Sequence, residues 1–151
     1  MSTASAGGGL YGWLTGVGAG IVGGLVTGLV IQFAFDPAII SAGIPAVVGA
    51  SGLLAGWIVL LAVGVVAGLV YAGIGTADRL AEYFVRPNTG AVAGLVFGLA
   101  LWVAAAILVP LLLGAPGPAI GEYAITLSGV LIYALFGLVI GIVYGVSPYT
   151  G

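Results

Sequence analysis

Apolar residues run along this chain in four long blocks, separated by shorter connections rich in turn formers. The blocks cover about Leu10 or Leu14 to Phe35, Val47 to Ile74, Gly90 to Leu113 and Tyr123 to Val146. A hydrocarbon core of roughly 30 Å is crossed by about 20 apolar residues of α-helix, and each block supplies that length. In lipid a spanning backbone is either a helix or a closed barrel. Barrel strands alternate apolar and polar positions, whereas these blocks are apolar all round. The pattern predicts an all-α membrane protein with four transmembrane helices. Residues 1–9 read as a flexible N-terminus, 10–74 as a first hairpin, 75–89 as a loop, 90–146 as a second hairpin and 147–151 as a tail.

Composition agrees and narrows the chemistry. Of 151 residues, 62% are hydrophobic and 4% charged, against roughly 25% charged in an ordinary soluble chain. The charged side chains are Asp36, Asp78, Arg79, Glu82, Arg86 and Glu122. Without Cys, His or Lys, thiol nucleophiles, imidazole bases, Schiff bases and the usual zinc, copper or haem ligands are absent. No catalytic residue and no metal site is expected, and two arginines make no basic patch for nucleic acid. The segment Met1–Gly9 has no Lys or Arg, so the first block reads as a retained span and not a secretory signal. An acidic pI of about 4.3 is compatible with a halophilic source.

Both arginines fall in the connection from Gly75 to Thr89. The positive-inside rule places that loop in the cytoplasm, and with four spans both termini join it there. The expectation is a multi-pass protein of the cell membrane. Within the loop, Asp78 to Arg86 predicts a short interfacial helix, capped by Thr76 or Asp78 and stopped by Pro87. Glu82 and Arg86 would pair at i,i+4. Arg79 and Arg86 are exposed loop charges, with contact to anionic lipid or a soluble domain as the alternative.

The two halves of the chain resemble each other. Thr15-Gly16, Gly20, Gly24 and Gly28 align with Thr89-Gly90, Gly94 and Gly98, the match ending at Leu101 or Trp102. In the second and fourth blocks Gly56, Gly64, Gly68 and Tyr71 align with Gly129, Gly137, Gly141 and Tyr144, and Pro37 and Pro110 also correspond. This predicts two tandem glycine-rich hairpin repeats, related by an axis along the membrane normal. Glycine costs about 1 kcal/mol against alanine in an exposed helix, so 29 glycines call for a packing reason. At a spacing of four they share one helix face and let backbones approach, as small residues do between membrane helices. Gly16, Gly20, Gly24 and Gly28 form one such face. Gly64 with Gly68, Gly90 with Gly94 and Gly98, and Gly137 with Gly141 and Gly145 form the others. Two readings stand: internal packing of a four-helix bundle, or docking of a partner subunit, lipid or pigment.

Other side chains divide the same way. Trp57 and Trp102 fall near the middles of their blocks, as bulk within or around the bundle or as a wall for a bound lipid, carotenoid or quinone. Tyr71 and Tyr144 read as interfacial belt residues. Gln32 is the most polar side chain within a block. With Thr27, Ser51 and Ser128 it forms either helix-bonding groups or a polar pathway. Transport of ions or protons usually leaves an ionisable residue inside a span, and no block contains one. The glycine ladder resembles the hairpins of rotary-ATPase proteolipids but lacks their mid-membrane carboxylate.

The third block, TGAVAGLVFGLALWVAAAILVPLLLGAPG with the preceding YAG, resembles small haloarchaeal membrane proteins of uncharacterised function. Some members carry a histidine-kinase label, which a chain without histidine contradicts. The resemblance implies an archaeal cell-membrane setting and no catalytic residue. The expected function is a non-catalytic accessory or structural subunit. Its expected partners are membrane lipids and either larger membrane subunits or a second copy. A small homo-oligomeric channel or transporter, and an apolar lipid or pigment binder, are the rivals.

Overall fold

The computed structural model describes residues 2–46, 48–108 and 127–147, with side chains over 12–46, 48–106 and 129–147. Helix α1 runs Ser2–Ala34, followed by a π-helical turn over Ile39–Gly43 and the short α2, Ile44–Ala46. Helix α3 covers Leu53–Gly75, α4 Ala81–Phe84 and α5 Pro87–Val103. A second π-helical turn spans Ala104–Leu108, and α6 is Leu127–Val146. No strand occurs among the described residues. Four of the helices are long and apolar enough to cross a membrane.

Local chemistry sets the helix ends, and several differ from the expectation. Helix α1 takes in Ser2–Gly9 as well, ahead of the first apolar block. Its far end meets Asp36, whose Oδ1 accepts the Ala38 N–H at 2.9 Å and turns the chain. The second span starts at Leu53 and not Val47. Gly49 and Gly52 hold φ of 72° and 103°, left-handed values that glycine adopts without strain, and they form the turn ahead of the helix. Thr76 ends α3, donating its hydroxyl to the Gly73 carbonyl at 2.6 Å, and caps nothing after it. The loop helix shrinks to the single turn of α4, entered at Leu80 with no side-chain cap. Pro87 opens α5, and Arg86 before it is extended, as residues preceding proline tend to be. Glu82 and Arg86 form no ion pair among the described residues.

Helix α1 lies between α3 and α6, and α6 also packs along α5. Helices α3 and α5 come together at one end, where Tyr71 reaches Phe97. That end carries the 75–87 connection, the finish of α6 and the part of α1 near Thr15, whose Oγ1 lies 3.3 Å from Ser147 Oγ. Among the described residues the core has two parts. One gathers Ala19, Ala67, Tyr71, Ala72, Phe84, Phe97, Phe136, Ile140 and Tyr144 at this end. The other places Ile31, Ile39 and Ile40 at the opposite end, with Phe35, Ile44, Trp57 and Ile132 against them. Lipid is as apolar as leucine, so close packing and hydrogen bonds, not the hydrophobic effect, hold spanning helices together.

Candidate functional site

The strongest construction in the molecule is a pair of backbone-to-backbone seams. A methyl group at Gly16 would sit 2.6 Å from the Gly68 carbonyl oxygen and from Ala72 Cβ. At Gly20 it would run into the Gly64 carbonyl, and Gly64 and Gly68 face the carbonyls of Gly20 and Gly16 in return. Gly24 lies against Leu60 and Leu61, and a methyl at Gly28 would lie 2.5 Å from the Trp57 ring. The other hairpin repeats the scheme. Gly90 would meet the Gly141 carbonyl at 2.9 Å, Gly94 that of Gly137, and Gly98 that of Tyr133. Gly137 and Gly141 face Gly94 and Gly90, and a methyl at Gly145 would lie 2.7 Å from the Arg86 carbonyl oxygen. Each of these glycines is turned toward the other helix of its own hairpin or its connection. The glycine faces are therefore internal.

Gly23 lies off that ladder and does a second job. A methyl there would lie 2.9 Å from Ile140 Cγ1, so the Gly23-Gly24 pair lets α1 approach α6 with one residue and α3 with the next. Gly56 does the same for the connection between α1 and α3, against the Ile40 backbone. The repeat of four hid Gly23, which lies one residue beside the regular series, whereas Gly56 belongs to the aligned set of the second block.

An aromatic cluster joins the hairpins. Tyr71 is 0% exposed, and its hydroxyl donates to the Gly90 carbonyl at 3.1 Å. Its ring centroid lies 4.5 Å from Phe84, 5.3 Å from Phe97 and 5.5 Å from Tyr144. Tyr71 and Tyr144 are thus core residues and not members of an interfacial belt. A buried tyrosine needs a partner for its hydroxyl, and the first turn of α5 offers a carbonyl beside a residue with no side chain to block it.

The polar side chains do not assemble into a stripe. Trp57 Nε1 donates to Gln32 Oε1 at 3.0 Å, tying α3 to α1. Trp57 is close to the start of α3 and so away from mid-span, and Trp102 lies just ahead of the π-helical turn that carries the helix on to Leu108. Both are half-buried, Ser51 is exposed in the turn ahead of α3, and Arg79 and Arg86 are exposed in the 75–87 connection. Ser128 lies outside the residues whose side chains are described, and Thr126, Pro110 and Glu122 lie outside the described residues. No group of three metal-ligating side chains occurs among the described residues.

Thr27 is 2% exposed and its hydroxyl has no hydrogen-bond partner. It sits between Gly23, which meets Ile140, and Ile31, whose cluster Ile132 joins, and so on the α1 face turned to α6. Leaving a buried hydroxyl unpaired costs about 1–3 kcal/mol, and valine has nearly the same shape without the hydroxyl. Thr27→Val is expected to raise the melting temperature in detergent by roughly 2–4 °C, the shift that about 1 kcal/mol gives in a chain of this size. A lower melting temperature would mean that the hydroxyl is satisfied in the membrane.

Comparison with family models, curated proteins and solved structures finds no match for this chain. Its functional reading rests on the chemistry above.

Proposed function

We propose that the protein is a non-catalytic integral membrane protein that serves as an accessory or structural subunit of a larger membrane complex. The observation that carries this reading is the closure of the glycine seams within the chain. Both seams close within the chain, and what the described residues offer sideways is apolar side chains. On α3 these are Leu54, Ile58, Val66 and Val70, and on α5 Val92, Val96 and Val103, all exposed. The charged side chains of the described residues sit between the spanning helices, and Gln32 is engaged by Trp57. Neither arrangement favours a transport pathway.

The reading includes two further proposals. The 75–87 loop and both termini lie in the cytoplasm, supported by the two arginines of that loop. The hairpins are repeats of one unit, supported by the recurrence of seam contacts. Gly16 with Gly68 corresponds to Gly90 with Gly141, and Gly20 with Gly64 to Gly94 with Gly137. The equivalent Tyr71 and Tyr144 meet each other, as like residues do beside a two-fold axis. Equivalent positions also exchange bulk. The Gly28 and Trp57 pair of the first hairpin has Trp102 and Val130 in its place, so the tryptophan changes helix.

Gentle-detergent extraction from native membranes, followed by a native gel and mass spectrometry, tests the assignment. Co-migration with larger subunits at a fixed ratio is the expected result. A homo-oligomer carrying nothing else would overturn it.

A further inference from the structure

The 75–87 connection is pinned to the end of the bundle. Phe84 is 7% exposed, its ring stands 4.5 Å from that of Tyr71, and a methyl at Gly75 would lie 3.1 Å from it. The Arg86 carbonyl accepts the Gly90 N–H at 2.7 Å, and a methyl at Gly145 of α6 would meet the same carbonyl. Ahead of Arg86 the chain makes helical turns, the Ala81 N–H donating to Ala77 at 2.9 Å and the Val85 N–H to Ala81 at 3.2 Å. At about 3.6 residues per turn, Phe84, Leu80, Tyr83, Arg79, Glu82 and Asp78 follow one another around these turns. Their order is chemical. A buried ring comes first, then Leu80 and Tyr83 at 41% and 50% exposure, then a cation, then the acids. Arg79 and Arg86 are both exposed, and neither guanidinium has an ion pair among the described residues.

We propose that this connection binds the headgroups of anionic phospholipids in the leaflet at its end of the bundle, with phosphates on Arg79 and Arg86 and the upper acyl chains on Leu80 and Tyr83. The inference rests on the reading that the four long helices cross the membrane. Gly75 closes one of them and Pro87 opens the next, so the turns between sit where hydrocarbon gives way to headgroups. Tyrosine suits that level, its ring being apolar and its hydroxyl polar. Arginine presents a planar fork of donors that matches phosphate oxygens. Glu82 and Asp78 come last around the turns, on the flank away from Leu80. They repel an acidic soluble domain approaching from water and leave the flank beside Leu80 and Tyr83 basic. A leaflet has that same order of polarity, from apolar through phosphate to water.

The test is native mass spectrometry of the full chain, released from micelles that contain equal amounts of phosphatidylglycerol and phosphatidylcholine. Phosphatidylglycerol should predominate among the lipids retained. Arg79→Gln and Arg86→Gln should each lower its retention about fivefold, the factor that about 1 kcal/mol per basic residue at an anionic surface gives. Glu82→Gln should not lower it. Depth is read independently from Leu80→Cys carrying a bimane label in phosphatidylglycerol vesicles, which a nitroxide high on a lipid tail should quench more strongly than aqueous iodide does. Equal retention of the two lipids, unchanged retention in both arginine variants, or a label quenched only from water would overturn the proposal. Displacement of phosphatidylglycerol by inorganic phosphate would assign the arginines to free anions and overturn it as well. The spanning of the helices is judged separately, by maleimide access at Val48→Cys and Asn88→Cys: opposite-sided access without lipid selection refutes this proposal alone.

Discussion

Gly20→Leu should unfold the first hairpin at markedly lower temperature than the parent chain. The substituted Cβ would collide with the Gly64 carbonyl and sit 3.2 Å from Gly68 Cα. Both obstacles are backbone, so no side-chain rotation relieves them, and the helices must separate. Overpacking a core costs about 1–3 kcal/mol where side chains can shift, and this seam lies at or beyond the upper end of that range. A chain of this size loses roughly 2–4 °C per kcal/mol, so thermal unfolding in detergent should fall by about 6–12 °C. Gly94→Leu meets the Gly137 carbonyl, with Gly141 Cα at 2.7 Å, and should cost the same. Gly18→Leu is the control. Nothing lies within 4 Å of its side-chain position, and leucine is a better helix former than glycine, so its melting temperature should hold or rise. Equal behaviour of Gly18→Leu and Gly20→Leu would refute the seam.

Tyr71 carries the second large effect. Its ring fills the junction of α3, α4, α5 and α6, in contact with Phe84, Phe97 and Tyr144. Tyr71→Ala leaves a cavity among aromatic rings, a change that costs about 3–5 kcal/mol for large aromatic residues. Tyr71→Phe keeps the rings and removes only the hydroxyl that donates to Gly90, a loss of about 0.5–1.5 kcal/mol. The pair therefore separates packing from hydrogen bonding. Melting curves should rank the parent first, then phenylalanine, then alanine by a wide interval. An alanine variant as stable as the phenylalanine variant would return Tyr71 to the membrane interface.

How much of this was legible in the sequence depends on whether the deciding force acts locally. The four spans were, because lipid leaves an apolar segment of that length only one backbone solution. The seam glycines were too, since a spacing of four places them on one face before any partner is known. The partner was not: periodicity says that a face is small, and not whether a neighbouring helix of the same chain covers it. Tyr71 shows the same limit. An amphipathic ring near a helix end suits a lipid interface as well as a core, and the deciding acceptor, the Gly90 carbonyl, belongs to another helix. Gln32 and Trp57 are 25 residues apart, beyond any local pattern. The start of α3 differs from the expectation because residues 47–52 are apolar or small in sequence, and only the left-handed Gly49 and Gly52 turn the chain ahead of Leu53. Gly23 lay in plain view, yet it gains meaning only once α1 is seen against α6.

The central claim is that the chain crosses the membrane as two hairpins inserted in the same sense. With no native cysteine, single substitutions Asn88→Cys, Ser147→Cys and Val48→Cys report position cleanly. Val48 and Asn88 are exposed, and Ser147 follows the last residue of α6. Labelling of sealed vesicles of known orientation with a membrane-impermeant maleimide is the direct measurement. Asn88→Cys and Ser147→Cys should react from the cytoplasmic side and Val48→Cys from the opposite side. Reaction of all three from one side would contradict the four-span hairpin arrangement.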